Sequence, residues 1–397
     1  MTIAELRPNV YSLSLKDWDR RLFDQLIPLP DGTSYNSYLI HGSEKTALID
    51  SADLRKQDEF LNDLNQLKVR RIDYIIANHA EPDHSGGIPL VLEKFPDAQV
   101  VATEKGKAIL VDLLLIPEER FLTVNDGDTL SLGDRTLEFI KAPWVHWPET
   151  MFTYLQEDKI LFPCDFLGNH IATSEVFATD EGRIYLAAKR YYAEIMMPFR
   201  RMIKKHLKKL QNFDIELIAP SHGAVYNNPT FILDAYKDWT SDTVKNEVII
   251  PYVSMYGSTE TMVQYLTEIL IKNGVTVKPF NLAVTDIGEL AMALVDAATI
   301  VIGSPAVLVG PHPAVVYAAY LANAIRPKAK FASVVGSYGW QGKIVEHLTG
   351  MLGNLKVELL SPVLVKGKPK NQTFQELNHL ANAIVTKHRE AGLITAN

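Results

Sequence analysis

The stretch Asn78-His79-Ala80-Glu81-Pro82-Asp83-His84-Ser85-Gly86-Gly87 constrains this chain more than any other. Four side chains able to ligate a metal, His79, Glu81, Asp83 and His84, fall within six residues. The apolar run 72–77 delivers them, and a glycine pair ends the turn. A turn this dense in ligands can feed two adjacent metals rather than one. Glu81 is the telling member, because a carboxylate among histidines shifts preference from zinc toward harder or redox-active metals.

The first half supplies further ligands, each directly after an apolar run that reads as a strand. Residues 137–145 precede His146, 159–164 precede Asp165, and 215–221 precede His222. Strands of one sandwich can converge at one edge, so these residues can form a single site. Four histidines and three carboxylates, one of them bridging, suit two metals with open positions for substrate. His41, His206, His347, His379 and His388 do not share that position after a strand and read as ordinary surface or core residues. His170 follows Asp165 by five residues and reads as a pocket-lining or ligand-orienting group. Trp144 and Trp147 flank His146, as pocket walls or as packing.

With 397 residues the chain is long enough for two domains, and 47% hydrophobic residues suffice for full cores. A net charge of −7 favours neither nucleic acid nor an anionic membrane as a partner. No apolar run approaches the roughly 18–20 residues of a membrane span. The first nineteen residues lack a basic segment followed by an apolar one, so no signal peptide is read and a cytoplasmic protein is expected. The single cysteine, Cys164, excludes an internal disulfide, a four-thiolate iron site and any cluster ligated by one chain. It lies in an apolar run and reads as a small buried hydrophobe.

The two halves differ in rhythm. Up to about residue 240, short strands such as 38–40, 46–50, 98–102, 136–140 and 152–155 alternate with polar turns. Helices over 53–67 and 105–115 interrupt them. That pattern points to an α/β sandwich. A basic helix over 200–210 carries Lys204, Lys205, Lys208 and Lys209, as a solvated face or a docking face for an acidic redox partner. A polar stretch at 241–246 marks the boundary. Beyond it, strands at 248–253, 275–280, 299–303, 330–336 and 356–360 alternate with helices at 259–272, 286–295, 313–324, 342–352 and 373–389. Five βα units at this spacing argue for a doubly wound parallel sheet.

The first of these strands leads into Ser254-Met255-Tyr256-Gly257-Ser258-Thr259-Glu260-Thr261. Hydroxyls and backbone N–H groups at that helix N-terminus form an anion cradle. The loop lacks the Gly-x-x-x-x-Gly-Lys of nucleoside triphosphate sites and the Gly-x-Gly-x-x-Gly of dinucleotide sites. Gly303-Ser304-Pro305-Ala306 follows the third strand, and Gly336-Ser337-Tyr338-Gly339-Trp340-Gln341-Gly342 follows the fourth. Both belong to strand C-terminal ends, where ligands bind in such sheets.

His79-x-Glu81-x-Asp83-His84, together with His146, Asp165 and His222, resembles the diiron site of flavodiiron proteins (A-type flavoproteins). Their first domain has the metallo-β-lactamase fold. Hydrolases of that fold usually show His-x-His-x-Asp-His, and Glu81 stands here at the second histidine position. The resemblance implies that His79, Glu81 and His146 hold one iron, that Asp83, His84 and His222 hold the other, and that Asp165 bridges them. The second half is similar to a flavodoxin-like FMN domain. That implies a phosphate against Ser254, Tyr256, Gly257, Ser258 and Thr259, with Met255 in the same loop. It implies a flavin ring between Ser304, Pro305, Ala306, Val307, Leu308 and Gly310 on one side and Ser337, Tyr338, Gly339 and Trp340 on the other. The family's middle loop often reads Ser-Pro-Thr with a polar residue soon after. Here Ala306 and apolar residues follow, leaving backbone contacts to carry that edge.

The resemblance spans essentially the whole chain. It implies an α/β protein: an N-terminal αββα metallo-β-lactamase-like sandwich over residues 1–244, then a flavodoxin-like doubly wound parallel sheet over 245–397. It implies an oxidoreductase in which FMN passes electrons to two non-haem irons, reducing O₂ to water, NO to N₂O, or both. It also implies a head-to-tail homodimer, or a dimer of such dimers. The chain ends soon after its tenth regular element, so an external donor is expected, rubredoxin or a reduced deazaflavin such as F420H₂. The alternative reading is a dinuclear zinc hydrolase of the metallo-β-lactamase class with an appended flavodoxin domain. Glu81 and the three loops of the second half argue against it.

Overall fold

The computed structural model describes residues 3–394, so residues 1–2 and 395–397, the outermost ends of the two expected domains, lie outside it. The chain divides into two compact units: Met1–Tyr192 with Phe199–Thr240, and Ser241–Asn397 with Ala193–Pro198. The second unit thus includes a short helical segment from within the first half, which the sequence pattern does not announce.

The first unit is a sandwich of two sheets. The larger runs, from edge to edge, through Ile3–Arg7, Val10–Asp17, Thr33–His41, Thr46–Ile49, Tyr74–Ile76, Gln99–Thr103 and Phe121–Val124. Its first three pairings are antiparallel and its last three parallel. The smaller sheet runs through Thr129–Ser131, Thr136–Lys141, Met151–Leu155, Ile160–Phe162 and Leu217–Ile218. The apolar runs read from sequence arise because the larger sheet is buried on both faces. Ile40, Ile49, Ile76 and Val101 join a core between the sheets with Phe139, Met151 and Phe162. Their neighbours Leu39, Leu48, Ile75 and Val100 pack on the other side against Phe60, Leu64, Val91 and Leu110. This is the αββα arrangement expected.

The basic helix is Arg200–Leu210. It buries Ile203, His206, Leu207 and Leu210 and exposes Arg201, Lys205 and Lys208, a solvated face. Among the described residues no helix is long and apolar enough to cross a membrane.

The second unit is a parallel sheet in the order Thr276–Asn281, Lys245–Tyr252, Ala297–Val307, Phe331–Tyr338, Glu358–Leu359. This is the doubly wound order 2-1-3-4-5, with its switch point between the first and third strands. Helices Ser258–Lys272 and Asn371–Glu390 cover one face through Met262, Leu266, Leu377 and Ile384, which meet Val248, Ile250, Val301 and Val335. The fifth strand differs from the single run expected at 356–360. Glu358–Leu359 and Val363–Lys366 pair in turn with the same neighbour, Phe331–Tyr338. The break falls at Ser361-Pro362, where proline has no N–H to give the ladder.

Candidate metal centre and flavin loops

All seven candidate ligands of the first unit come together, and they come from both sheets. Tyr74–Ile76 of the larger sheet leads to His79, while Thr136–Lys141, Ile160–Phe162 and Leu217–Ile218 of the smaller sheet lead to His146, Asp165 and His222. The 79–85 turn is tied down locally. Ser85 Oγ donates to Ala80 O at 2.8 Å, and His84 O accepts from Ser51 N at 2.7 Å.

The seven ligand candidates fall in two groups, His79, Glu81, His146 and Asp165, and Asp83, His84 and His222, each within 4.8 Å; Cys164 makes a third with His84 and Asp165. Asp165 faces both of the first two. Its Oδ2 is 3.2 Å from His146 Nε2 and 3.5 Å from His79 Nε2. Its Oδ1 is 2.9 Å from His84 Nε2 and 3.3 Å from His222 Nε2. Glu81 Oε2 lies 3.1 Å from both His79 Nε2 and His146 Nε2, and Asp83 Oδ2 is 3.2 Å from His222 Nε2. Short as these separations are, both oxygens of Asp83, Asp165 Oδ1 and His84 Nε2 lack any hydrogen-bond partner of proper angle. All four belong to the Asp83, His84 and His222 side, where Asp165 Oδ1 lies. Buried polar atoms left unpaired are costly, and a cation among them satisfies them; the clustered donors of His79, Glu81, His146 and Asp165 offer a second place. The donor set therefore fits two metal ions.

Electrostatics agree. Burial opposes a charged His222, yet Asp165 and Asp83 outweigh it and raise the ring to about 10. Burial likewise opposes a charged His146, and Asp165 and Glu81 raise it to about 9. His79 also rises well above the ordinary range: burial resists, but Glu149 and Glu81 prevail. Burial would raise Asp165, but the surrounding histidines hold it well below the carboxylate range. A cation bound to these rings would displace such protons.

Several neighbours orient these ligands. Glu149 Oε1 accepts from His79 Nδ1 at 2.7 Å and from Ala80 N at 3.0 Å. Ser34 O accepts from His222 Nδ1 at 2.7 Å. Asp50, with backbone φ of 54°, accepts from Asn78 N at 3.0 Å and from Ser221 Oγ at 3.2 Å, joining the turns that carry His79 and His222. Burial lifts its carboxyl to about 6. Glu149, Asp50 and Ser34 escape the sequence pattern. His170 is buried 4.8 Å from the His222 ring, with Nδ1 bonded to Thr33 Oγ1 at 2.8 Å and Nε2 unpartnered. Trp147 packs edge-on to His79 at 4.9 Å, and Trp144, 47% exposed, stacks on Phe199. Cys164 is buried, and burial pushes its thiol up.

In the second unit the three loops lie beyond neighbouring strands, at their C-terminal ends. Gly257 takes the left-handed conformation, φ 82°, just before helix Ser258–Lys272, which few other residues tolerate. Ser254 Oγ accepts from Glu260 N at 3.1 Å, and Thr259 Oγ1 meets Ser337 Oγ at 2.9 Å, linking the first and third loops. The middle loop is a hairpin rather than an irregular turn. Val307 pairs with Gly310 and Ala306 with Pro311, around Leu308 and Val309 at φ 48° and 72°. Val309 O accepts from Lys343 N at 2.7 Å, which ties hairpin to third loop. Ser304 is fully buried, and its hydroxyl accepts from His312 N at 2.9 Å, so it serves the hairpin itself. Tyr256, Leu308 and Trp340 stand 89%, 94% and 81% exposed. Large apolar side chains left open at this end of the sheet suit a planar aromatic ligand.

A family model described as ODP family beta lactamase matches residues 33–223. The nitric oxide reductase of Moorella thermoacetica is 35% identical over 387 residues, 95% of this chain and 97% of that protein. The solved rubredoxin oxygen:oxidoreductase of Desulfovibrio gigas superposes with a TM-score of 0.93 at 28% identity, covering 98% of this chain and 99% of that one. The flavodiiron protein of Giardia intestinalis does so with a TM-score of 0.88 at 28% identity, covering 98% of each. Similarity that runs through both units at once, over the length of such relatives, means that the chain belongs to the flavodiiron protein family of oxidoreductases.

Proposed function

We propose that this protein reduces a small diatomic gas, O₂ to water, NO to N₂O, or both, at a pair of irons, with electrons drawn through FMN from an external donor. The observation that carries this reading is a pair of buried donor groups: Asp83, His84 and His222, where the Asp83 oxygens, His84 Nε2 and Asp165 Oδ1 are unpartnered, and His79, Glu81, His146 and Asp165, where a carboxylate stands among the histidines. Residues 1–244 carry the metals in this reading and 245–397 the flavin. His79, Glu81 and His146 would hold one iron and Asp83, His84 and His222 the other, with Asp165, which faces both groups, serving the two. When bound, the irons supply neighbouring open positions for the gas, and FMN supplies electrons singly.

The chain's own groups do the rest. Glu149 and the Ser34 carbonyl hold the Nδ1–H sides of His79 and His222, which leaves their Nε2 lone pairs for metal. Glu81 and His146, with side chains 13% and 17% exposed, form the open edge by which a gas enters. The deeper ligands exclude water. In the second unit the 254–259 loop seats the phosphate, and Trp340, Tyr338, Gly339 and the 304–310 hairpin flank the ring. Backbone rather than the Ser304 hydroxyl serves the hairpin edge, since that hydroxyl is engaged. The donor is a rubredoxin or a reduced F420-type deazaflavin, and the working form is a head-to-tail homodimer.

Metal and flavin analysis of protein grown in iron-rich medium is the deciding test, with O₂ and NO consumption measured in parallel. About two irons and one FMN per chain are expected. Zinc without iron, in protein that still binds FMN, would overturn the reading in favour of a hydrolase.

A further inference from the structure

Two strands of the larger sheet carry a polar stripe that the proposed reaction does not use. Between Val10–Asp17 and Thr33–His41, Ser12 faces Tyr38, Ser14 faces Asn36 and Lys16 faces Ser34. The Thr33–His41 side grips the loop of His222. Ser34 O accepts from His222 Nδ1 at 2.7 Å, and Ser34 Oγ accepts from Gly223 N at 2.8 Å. Asn36 Nδ2 donates to Pro220 O at 2.9 Å and to Gly223 O at 2.8 Å, and Asn36 N donates to Ser221 O at 2.9 Å. Tyr38 OH donates to Pro220 O at 2.7 Å. The Val10–Asp17 side stands behind this grip. Lys16 Nζ donates to Ser14 Oγ at 2.5 Å, and Ser14 Oγ donates to Asn36 Oδ1.

The direction of this chain is set at both ends, by the Pro220 and Gly223 carbonyls, which only accept from Asn36 Nδ2, and by Lys16. An ammonium has three donors and no acceptor. The Ser14 oxygen beside it must therefore accept, so the Ser14 proton turns to Asn36, and Asn36 must present its oxygen there. Its NH₂ is thereby aimed at the two carbonyls that flank His222. Among the described residues no carboxylate pairs with Lys16, and burial lowers its ammonium to about 8, so the donor-only form holds at pH 7 and below without an ion pair.

We propose that Lys16 is a positioning residue for the His222 arm of the metal centre: by donating to Ser14 it reinforces the Ser14–Asn36 chain that grips the backbone on either side of His222. This rests on the reading of His222 as an iron ligand.

The test is iron(II) titration of Lys16→Met, Lys16→Arg and Ser14→Ala, with the Mössbauer spectrum of the loaded protein, and with His222→Ala alongside. Loss of an outer partner of a metal-bound histidine costs about ten- to a hundredfold in metal affinity. Lys16→Met and Ser14→Ala act farther back, so they should lose only part of that, above about threefold, for one of the two irons and shift its quadrupole doublet. Lys16→Arg also has only donors, and should stay within about threefold of the parent. Lys16→Met or Ser14→Ala binding both irons as the parent does would overturn the proposal. So would Lys16→Arg as weak as Lys16→Met, which would make the side chain a packing element. Ser14→Ala leaves Lys16 in place and carries the test if Lys16→Met does not fold. If His222→Ala keeps both irons at full affinity, the ligand reading itself has failed. If it loses one while Lys16→Met loses none, only the positioning role has failed.

Discussion

His79 is held from behind by Glu149, whose Oε1 accepts from both His79 Nδ1 and Ala80 N. Glu149→Gln keeps the shape and removes the charge. Iron affinity at that position should fall about ten- to a hundredfold while FMN content stays unchanged; an iron titration that matches the parent would deny His79 a place on the metal. The rings also set a pH dependence. In metal-free protein His146 and His222 keep protons up to about 9 and about 10, against 6.5 for ordinary imidazole. A raised folded-state value stabilises fully below 6.5, and that contribution is lost as pH rises through 9 to 10. Iron displaces those protons, so its affinity should strengthen over the same range. Thermal melts should therefore fall from pH 7 to 10 without metal and hold with iron; parallel profiles would contradict the assignment. The candidate ligands were legible because His79, His146, Asp165 and His222 follow apolar runs and Glu81, Asp83 and His84 crowd one turn. Glu149 was not, because it precedes one, Met151–Leu155. Asp50 does follow one, but its task of joining two turns distant in sequence exists only in the folded chain.

At the scale of elements, alternation of strands and helices was readable almost to their ends, and the departures have local causes. The strand expected at 299–303 continues to Val307, because the residues after Gly303 find a partner strand in Gly310–Pro311. That pairing needs positive φ at Leu308 and Val309, an unfavourable conformation for a β-branched residue, which no propensity rule would place there. The ties from Val309 to Lys343 and from Thr259 to Ser337 then make one platform of three loops. Trp340 is the exposed plane of that platform. Trp340→Ala should weaken FMN binding about two- to tenfold, from the roughly 0.5–1.5 kcal/mol of lost ring stacking, and leave iron content intact. Fluorescence titration of the flavin-free protein checks this; unchanged affinity would place the ring elsewhere.

For the whole molecule, the proposed head-to-tail homodimer makes a prediction that no single-chain relay shares. Asp165→Ala removes the metal bridge and keeps the flavin loops, whereas Ser258→Asp sets a carboxylate at the phosphate seat and keeps the metal ligands. Neither should reduce gas alone. Co-expressed, they should regain activity, because the flavin of one protomer serves the irons of the other; no recovery in verified mixed dimers would refute the arrangement. The fold classes of the two halves and the candidate ligands that the structure gathers could be read from the chain alone. Burial on both sheet faces writes itself as continuous apolar runs, and a ligand must stand where such a run ends. The partition of those ligands into two groups, the two-sided reach of Asp165, and the supports from Glu149, Asp50 and the Lys16–Ser14–Asn36 chain were decided only by tertiary structure. Those are contacts between side chains far apart in sequence, and their distances and hydrogen-bond directions follow from how the two sheets pack, which no local pattern encodes.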